Sequence, residues 1–358
     1  MPNSEHITEF AGLPVAEFTS WEAIRRDFTT AMSWARNRNE PHADLPPSYR
    51  PLFEAVAAPA SVAWRLRTEL PPYRRDYSGH EEPWEELDAY LRRFLDLVPP
   101  EAVRALIVGN ISDDDYQFRS QESRDRLLEL APKLTGLRAL FFGEVLQSEQ
   151  EISWIEHCDL APLLTALPQL TEFTVRGGSG PLGLRLDDGH PSLRRFTVQS
   201  GGLRPEVVRD VCASPMPELE HLELWLGAEE YEGGSTPDDL APVLTGEAFP
   251  KLRSLGLRNS DATGTWVRAL ADAPVTARLE ALDLSLGTLR DEDVDALVDA
   301  PALRSLKRLD LHRHYLSEDS VERVRAAFGE AGVEVDLSDP QEPDDWGDEF
   351  HYYPAVAE

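Results

Sequence analysis

"LKRLDLHRHYL", residues 306–316, carries two patterns at once. Leu306, Leu309 and Leu311 stand at positions i, i+3 and i+5. That spacing sends apolar side chains from one short strand, and from the turn before it, toward a common core. Between them, Asp310, His312 and His314 form an Asp-x-His-x-His run. The run reads either as a metal or catalytic cluster or as the polar side of one rung in a repeat. Recurrence of the leucine spacing separates the two readings.

The spacing recurs. It is met at Val103/Leu106/Val108, Leu137/Leu140/Phe142, Leu170/Phe173/Val175 and Leu193/Phe196/Val198. It continues at Leu219/Leu222/Leu224, Leu252/Leu255/Leu257, Leu279/Leu282/Leu284 and Leu306/Leu309/Leu311. A degenerate ninth copy has Val335 and Leu337, with Gly332 in the first slot. Successive copies start 34, 33, 23, 26, 33, 27, 27 and 26 residues apart, the period of a leucine-rich repeat in its longer, helix-containing form. The fold class implied is an α/β leucine-rich-repeat solenoid, with parallel strands on the concave face and helices on the convex face. The predicted domains are an N-terminal α+β cap over 1–100 that grades into the first coil, a solenoid over 101–338 and an acidic C-terminal tail over 339–358.

Strand side chains alternate. Residues at i+3 and i+5 therefore point inward, and those at i+2, i+4 and i+6 face the concave surface. The i+4 column ends Glu223, Gly256, Asp283, Asp310, Asp336. Strands ~4.8 Å apart would stack these carboxylates, and like charges that close raise one another's pKa. The concave face is thus predicted to be small and apolar at its N-terminal end and charged at its C-terminal end. The candidate binding residues are Arg176, Arg195, Gln199, His221, Glu223, Trp225, Arg258, Asp283, Arg308, Asp310, His312 and Asp336. Trp225 reads either as an exposed anchor or as a side chain packed under the loop 229–234; Trp with neighbouring Arg is a frequent composition of interface hot spots. Asp310 and His312 share the concave face, whereas His314 falls in the turn, so no metal site is expected from the run.

The helices are read from caps. Thr236 and Pro237 predict a helix start within 236–252, and Ser317 predicts one for 317–332 with Gly329 or Gly332 near its end. Three residues after the last strand leucine, where the common repeat has Asn or Cys, this chain has Val145, Gly178, Gly201, Gly227, Ser260, Gly287 and His314. The glycines suggest a tight turn out of the strand. "GSGPLG" (178–183) matches a phosphate-loop spacing, but no helix follows it, and "DDD" (113–115) lacks calcium-loop spacing.

The chain has 65 acidic and 35 basic residues, a formal charge of −30. Such a field disfavours nucleic acid and anionic membrane and favours basic or neutral partners. Cys158 and Cys212 make no disulfide framework or zinc pair, which fits a cytoplasmic setting. No signal peptide and no run of 18 apolar residues is visible.

"ISWI" (152–155), "TVRGGSG" (174–180), "LELWLGAEEYEGG" (222–234), "LGLRNS" (255–260), "LDLSLG" (282–287) and "HRHYLSE" (312–318) resemble a bacterial leucine-rich-repeat family common in actinobacteria. "HITEFAGLPVAEF" and "YPAVAE" fit it too, so the resemblance runs from about residue 5 to the C-terminus. It implies a pathway context near genes for radical-SAM proteins and no catalytic residues. The functional expectation is a monomeric, non-catalytic scaffold without cofactor that binds a protein or peptide on its concave face. The alternative is a small-ligand or cation-binding pathway protein, possibly an enzyme, built on Asp283, Asp310 and His312.

Overall fold

The computed structural model describes residues 4–21, 23–24, 50–68, 85–111, 117–345, 347 and 350–357. Residues 21–36 read in sequence as a helix followed by a Pro-rich loop; these and "DDD" (113–115) lie largely or wholly outside the described residues. The chain forms two compact units, Glu5–Val145 and Leu146–Glu358.

In the first unit, β1 (Glu9–Phe10) and β2 (Leu13–Phe18) form an antiparallel hairpin. Its turn residues Ala11 and Gly12 both have positive φ, 51° and 73°, the requirement of a tight hairpin whose twist matches its strands. β3 (Ala63–Leu66), β4 (Ala105–Val108) and β5 (Ala139–Phe142) then add in parallel, with Val15↔Ala63↔Ala105↔Ala139 in register. All four residues of β3 are buried, Trp64 and Leu66 among them on one side. On that side Phe18 meets Tyr90 and Phe94 of the helix Leu87–Leu97 at centroid distances of 5.4 and 5.1 Å.

The opposite side corrects one expectation. Ala105, Ile107, Ala139 and Phe141 do not line an open surface. They are buried in a cluster with Phe10, against which Ile7, Leu13 and Val15 pack. The hairpin lies on the apolar face that the small residues create. Beside it sits a buried ion pair that the repeat pattern does not encode. Glu144 is fully buried and accepts from Arg65 Nε at 3.0 Å, Arg65 Nη2 at 3.1 Å and the Ile7 amide at 3.1 Å. His6 Nδ1 stands 2.9 Å from it. Burial would raise the Glu144 pKa, but His6 and Arg65 hold it below the usual value.

The second unit is built from parallel strands: β6 (Glu172–Arg176), β7 (Arg195–Gln199), β8 (His221–Gly227), β9 (Ser254–Ser260), β10 (Ala281–Asp283), β11 (Arg308–Asp310) and β12 (Glu334–Asp336). Their register matches the repeat alignment rung by rung: Phe173↔Phe196↔Leu222↔Leu255↔Leu282↔Leu309↔Val335. From Phe173 to Leu309 each of these is at most 1% exposed. Val335, on the edge strand β12, is half-buried.

Helices between strands are shorter than their patterns suggest. Thr236 caps no helix; its amide and Oγ1 bond Asp239 Oδ2 at 2.8 and 3.0 Å, and the helix spans only Ala241–Leu244. Pro242 accounts for the late start, because a proline is tolerated in a first helical turn and not in the interior. Ser317 does cap Glu318–Glu330, accepting from the Ser320 amide at 3.4 Å, and Gly332 ends that segment at φ +76°.

The turn glycines serve mainly close approach. Of those predicted, only Gly227 has positive φ. A Cβ on Gly201 would come within 2.8 Å of the Ala357 carbonyl oxygen. A different position of the turn is left-handed. Asn259, Leu286, Arg313 and Asp339 have φ of 53°, 66°, 58° and 57°. All four stand at i+7 of consecutive copies. Each non-glycine residue there costs about 1–2 kcal/mol, so the surrounding contacts must over-determine the turn.

Candidate functional site

The side of β6–β12 away from the leucine core presents the predicted columns. Thr174↔Thr197↔Glu223↔Gly256↔Asp283↔Asp310↔Asp336 pair across neighbouring strands. Glu172↔Arg195↔His221↔Ser254↔Ala281↔Arg308 run beside them. The aspartate column is therefore real, and a one-residue slip would have buried it.

At its centre lies Glu223, whose side chain is 14% exposed. One carboxylate oxygen accepts from Trp225 Nε1 at 2.7 Å and from Arg258 Nη1 at 3.1 Å. His221 Nε2 stands 3.5 Å from the other, and His221 Nδ1 bonds Ser254 Oγ at 2.9 Å. Burial alone would raise this carboxyl, but His221, Arg258 and Trp225 together lower it to about 2. Arg258 continues the chain of bonds to Asp283 at 3.3 Å and to Ser285 Oγ at 3.0 Å, and its guanidinium lies 5.2 Å from the Trp225 ring centre.

Three predicted binding residues are buried: Trp225, Arg176 and Asp310, the last at 8% exposure. Trp225 is 3% exposed, so it cannot serve as an exposed anchor; its indole supports Glu223 and Arg258 from below. Arg176 is likewise buried, at 3% exposure, with Nε on Gln199 Oε1 at 2.9 Å. Burying the aliphatic stem and ring while satisfying each polar atom costs less than exposing an indole. Arg195 and Arg308 remain open, at 54% and 55% side-chain exposure, and Arg195 lies 3.9 Å from Glu172. Burial raises Glu172 above the usual carboxylate value, and Arg195 and His221 offset part of this.

The opening run divides as the register requires. Asp310 Oδ1 accepts from the His312 amide at 3.1 Å and stands 2.7 Å from His312 Nδ1, while Oδ2 accepts from Arg308 at 3.2 Å. One ligand atom each from Asp310, His312 and Asp336 lie within 4.8 Å of one another. His314 is instead fully buried, with Nε2 3.2 Å from the Leu337 carbonyl and Nδ1 accepting from the Leu316 amide at 3.1 Å. Burial keeps it below the usual histidine pKa. It is a structural imidazole of the turn.

Of the stacked aspartates, Asp283 carries the raised pKa. Burial is the main cause and the Asp310 charge a lesser one, with Arg258 opposing both. Asp336 is lowered by bonds from the Ser338 hydroxyl and amide at 2.6 and 3.0 Å. A carboxyl raised in the folded state contributes stability at low pH that is lost as pH rises through that value. Asp283→Asn is therefore expected to stabilise the chain at pH 7 by on the order of 1 kcal/mol, with the gain vanishing as pH falls to 3. Thermal melts across that range check it. A loss of stability at pH 7 would show that the Arg258 bond outweighs the burial.

A second set of residues was not foreseen. Asn259 is fully buried, and its side-chain amide bonds the Ser200 carbonyl at 3.2 Å and both backbone polar groups of Val356. The signal available in sequence was an Asn at the left-handed position, the residue type that tolerates it best after glycine.

No family model matches the chain, and no curated protein matches it. Among solved structures, a Bacteroides fragilis protein determined by a structural genomics consortium is 27% identical, with a TM-score of 0.64 over 71% of this chain and 70% of that one. An internalin from Listeria monocytogenes is 14% identical with a TM-score of 0.30, covering 81% and 76% of the two chains. The first of these likenesses, with the parallel strands described above, shows an α/β solenoid-like fold.

Proposed function

We propose that this chain is a non-catalytic scaffold that binds a protein or peptide on the outer face of β8–β12 through a basic residue of the partner. One observation carries the reading. Glu223, Asp283, Asp310 and Asp336 stand in one column, and the two guanidinium groups bonded to it are Arg258 and Arg308. Four carboxylates against two guanidinium groups leave the column net negative while His221 and His312 beside it are neutral. The network among Glu223, Trp225 and Arg258 holds the column rigid before a partner arrives, which lowers the cost of ordering it on binding. The chain's charge of −30 acts in the same direction by attracting basic partners over a distance.

The second reading places a cation among Asp310, His312 and Asp336, which the 4.8 Å clustering favours. Against it, Asp310 already accepts from His312 and Arg308, and Asp336 from Ser338. A metal would have to break bonds that are in place.

An arrayed peptide library, with lysine-, glutamate- and serine-substituted members, tests the proposal. The expected result is selective capture of lysine- and arginine-bearing peptides, weakened about tenfold or more by Asp310→Lys and by 0.5 M salt. Capture indifferent to peptide charge, or unchanged by Asp310→Lys, would overturn it. Calcium, zinc or manganese raising the melting temperature of the wild type but not of His312→Ala would favour the cation instead.

A further inference from the structure

The segment Tyr352–Ala357 crosses the turns of the second unit in reverse order of their sequence. Tyr352 lies edge-on to Tyr315 at 5.1 Å and under Arg290 at 4.9 Å. The Tyr353 carbonyl accepts from Tyr315 Oη at 2.9 Å and from Arg313 Nη1 at 3.0 Å, and its amide donates to Tyr315 Oη at 3.1 Å. One rung back, the Ala355 amide donates to the Leu286 carbonyl at 2.8 Å. Another rung back, Asn259 Oδ1 accepts from the Val356 amide at 2.9 Å, and Nδ2 donates to the Val356 carbonyl at 2.5 Å. Ser153 Oγ donates to the Ala357 carbonyl, beside Gly201.

Three of the groups that hold the segment come from the left-handed column: Asn259, Leu286 and Arg313. The turn conformation that costs energy at each rung thus points one donor or acceptor per rung along a common track. All of these bonds are to backbone, and the side chains admitted between them are small: Pro354, Ala355 and Val356 are buried. A side-chain amide that pairs with both the N–H and the C=O of one residue reads an extended strand without reading its sequence, as edge-strand recognition does. The ring contacts at Tyr352 and the buried small residues at Ala355 and Val356 set a preference for an aromatic residue, then one unselected residue, then proline and small apolar residues.

We infer that this track is a peptide-binding site, distinct from the outer face of the sheet, and that Tyr352–Ala357 is its resident ligand. The incoming ligand is a peptide of aromatic-x-Pro-small-small chemistry, which enters by displacing the chain's own segment. A tethered segment competes at an effective concentration on the order of millimolar. Binding of an outside peptide is therefore masked in the intact chain and released when the segment is weakened.

The probe is a fluorescein-labelled peptide of residues 350–357, added to the full chain and followed by polarisation. The full-length Val356→Asp chain should bind it roughly tenfold or more tightly than wild type. Adding Asn259→Ala to that variant should abolish the gain, whereas adding Lys251→Ala, an exposed side chain paired with Glu218, should leave it intact. Equal binding by wild type and Val356→Asp, with both folded by circular dichroism, would overturn the inference and make the segment a permanent brace. Should Val356→Asp not fold, a protease site placed in 346–349 of the wild-type chain gives the second reading. After cutting, reversible dissociation and rebinding of the released peptide supports the site. Unfolding on release that added peptide does not reverse overturns it.

Discussion

Glu223→Ala lowers stability by about 3–5 kcal/mol at neutral pH, the cost of removing one partner of a buried, hydrogen-bonded charge pair. The loss does not stem from the carboxylate's own attraction alone. Without it, Trp225 Nε1 has lost the acceptor at 2.7 Å and Arg258 keeps only Asp283 and Ser285. A buried indole N–H and a guanidinium at 17% exposure then bear the desolvation cost themselves. The sign of the pH dependence follows from the carboxyl's value of about 2 in the folded chain against 4.5 ordinarily. Stability from this group is complete above the ordinary value and fades as pH falls toward 2. Urea melts of wild type and Glu223→Ala at pH 7 and pH 2.5 measure it. A difference that stays constant with pH would assign the effect to packing instead.

Leu282→Ala is expected to cost about 2–5 kcal/mol. Leu282 is 1% exposed and sits between Leu255 and Leu309 in the core column. Because each rung meets only its neighbours, the cavity weakens two interfaces at once. Arg308→Ala, on the outer face at 55% side-chain exposure, is the matched control and should stay within about 0.5 kcal/mol of wild type. Equal effects from the two changes in a denaturant melt would contradict the assigned register.

The core columns were readable because two constraints coincide in them. A strand alternates its side chains, and a rung buried on one side admits only apolar residues there. Leu255, Leu282 and Leu309 satisfy both, so spacing alone locates them. Trp225 satisfies the first and still misleads. Its position says outward, but its ring is buried with Arg258 of the next strand over it and Glu223 bonded to its N–H, and no spacing rule encodes that. The covered face in the first unit escaped for a related reason. Ala105 and Ala139 announce that something comes close, yet the hairpin at Leu13–Phe18 is more than 80 residues away from either in sequence. The left-handed column was least visible, since Leu286 and Arg313 are not residues that advertise positive φ; only Asn259 is. The track for Tyr352–Ala357 therefore had to be seen in three dimensions.

The alternation within each strand also divides the chain's freedom to change. Ser254, Ala281 and Arg308 occupy one outward position spaced 27 residues apart, and Leu255, Leu282 and Leu309, each the very next residue, hold the interior. Apart from the bonded network of Glu223, Trp225, Arg258 and Asp283, outward positions behave as separately addressable characters at a pitch of ~4.8 Å. Their chemistry can be rewritten one rung at a time, or a whole rung added or removed, without disturbing the adjacent letter that keeps the molecule folded. Diversification by copying rungs and selection on what the strip displays can then proceed almost independently of selection for stability.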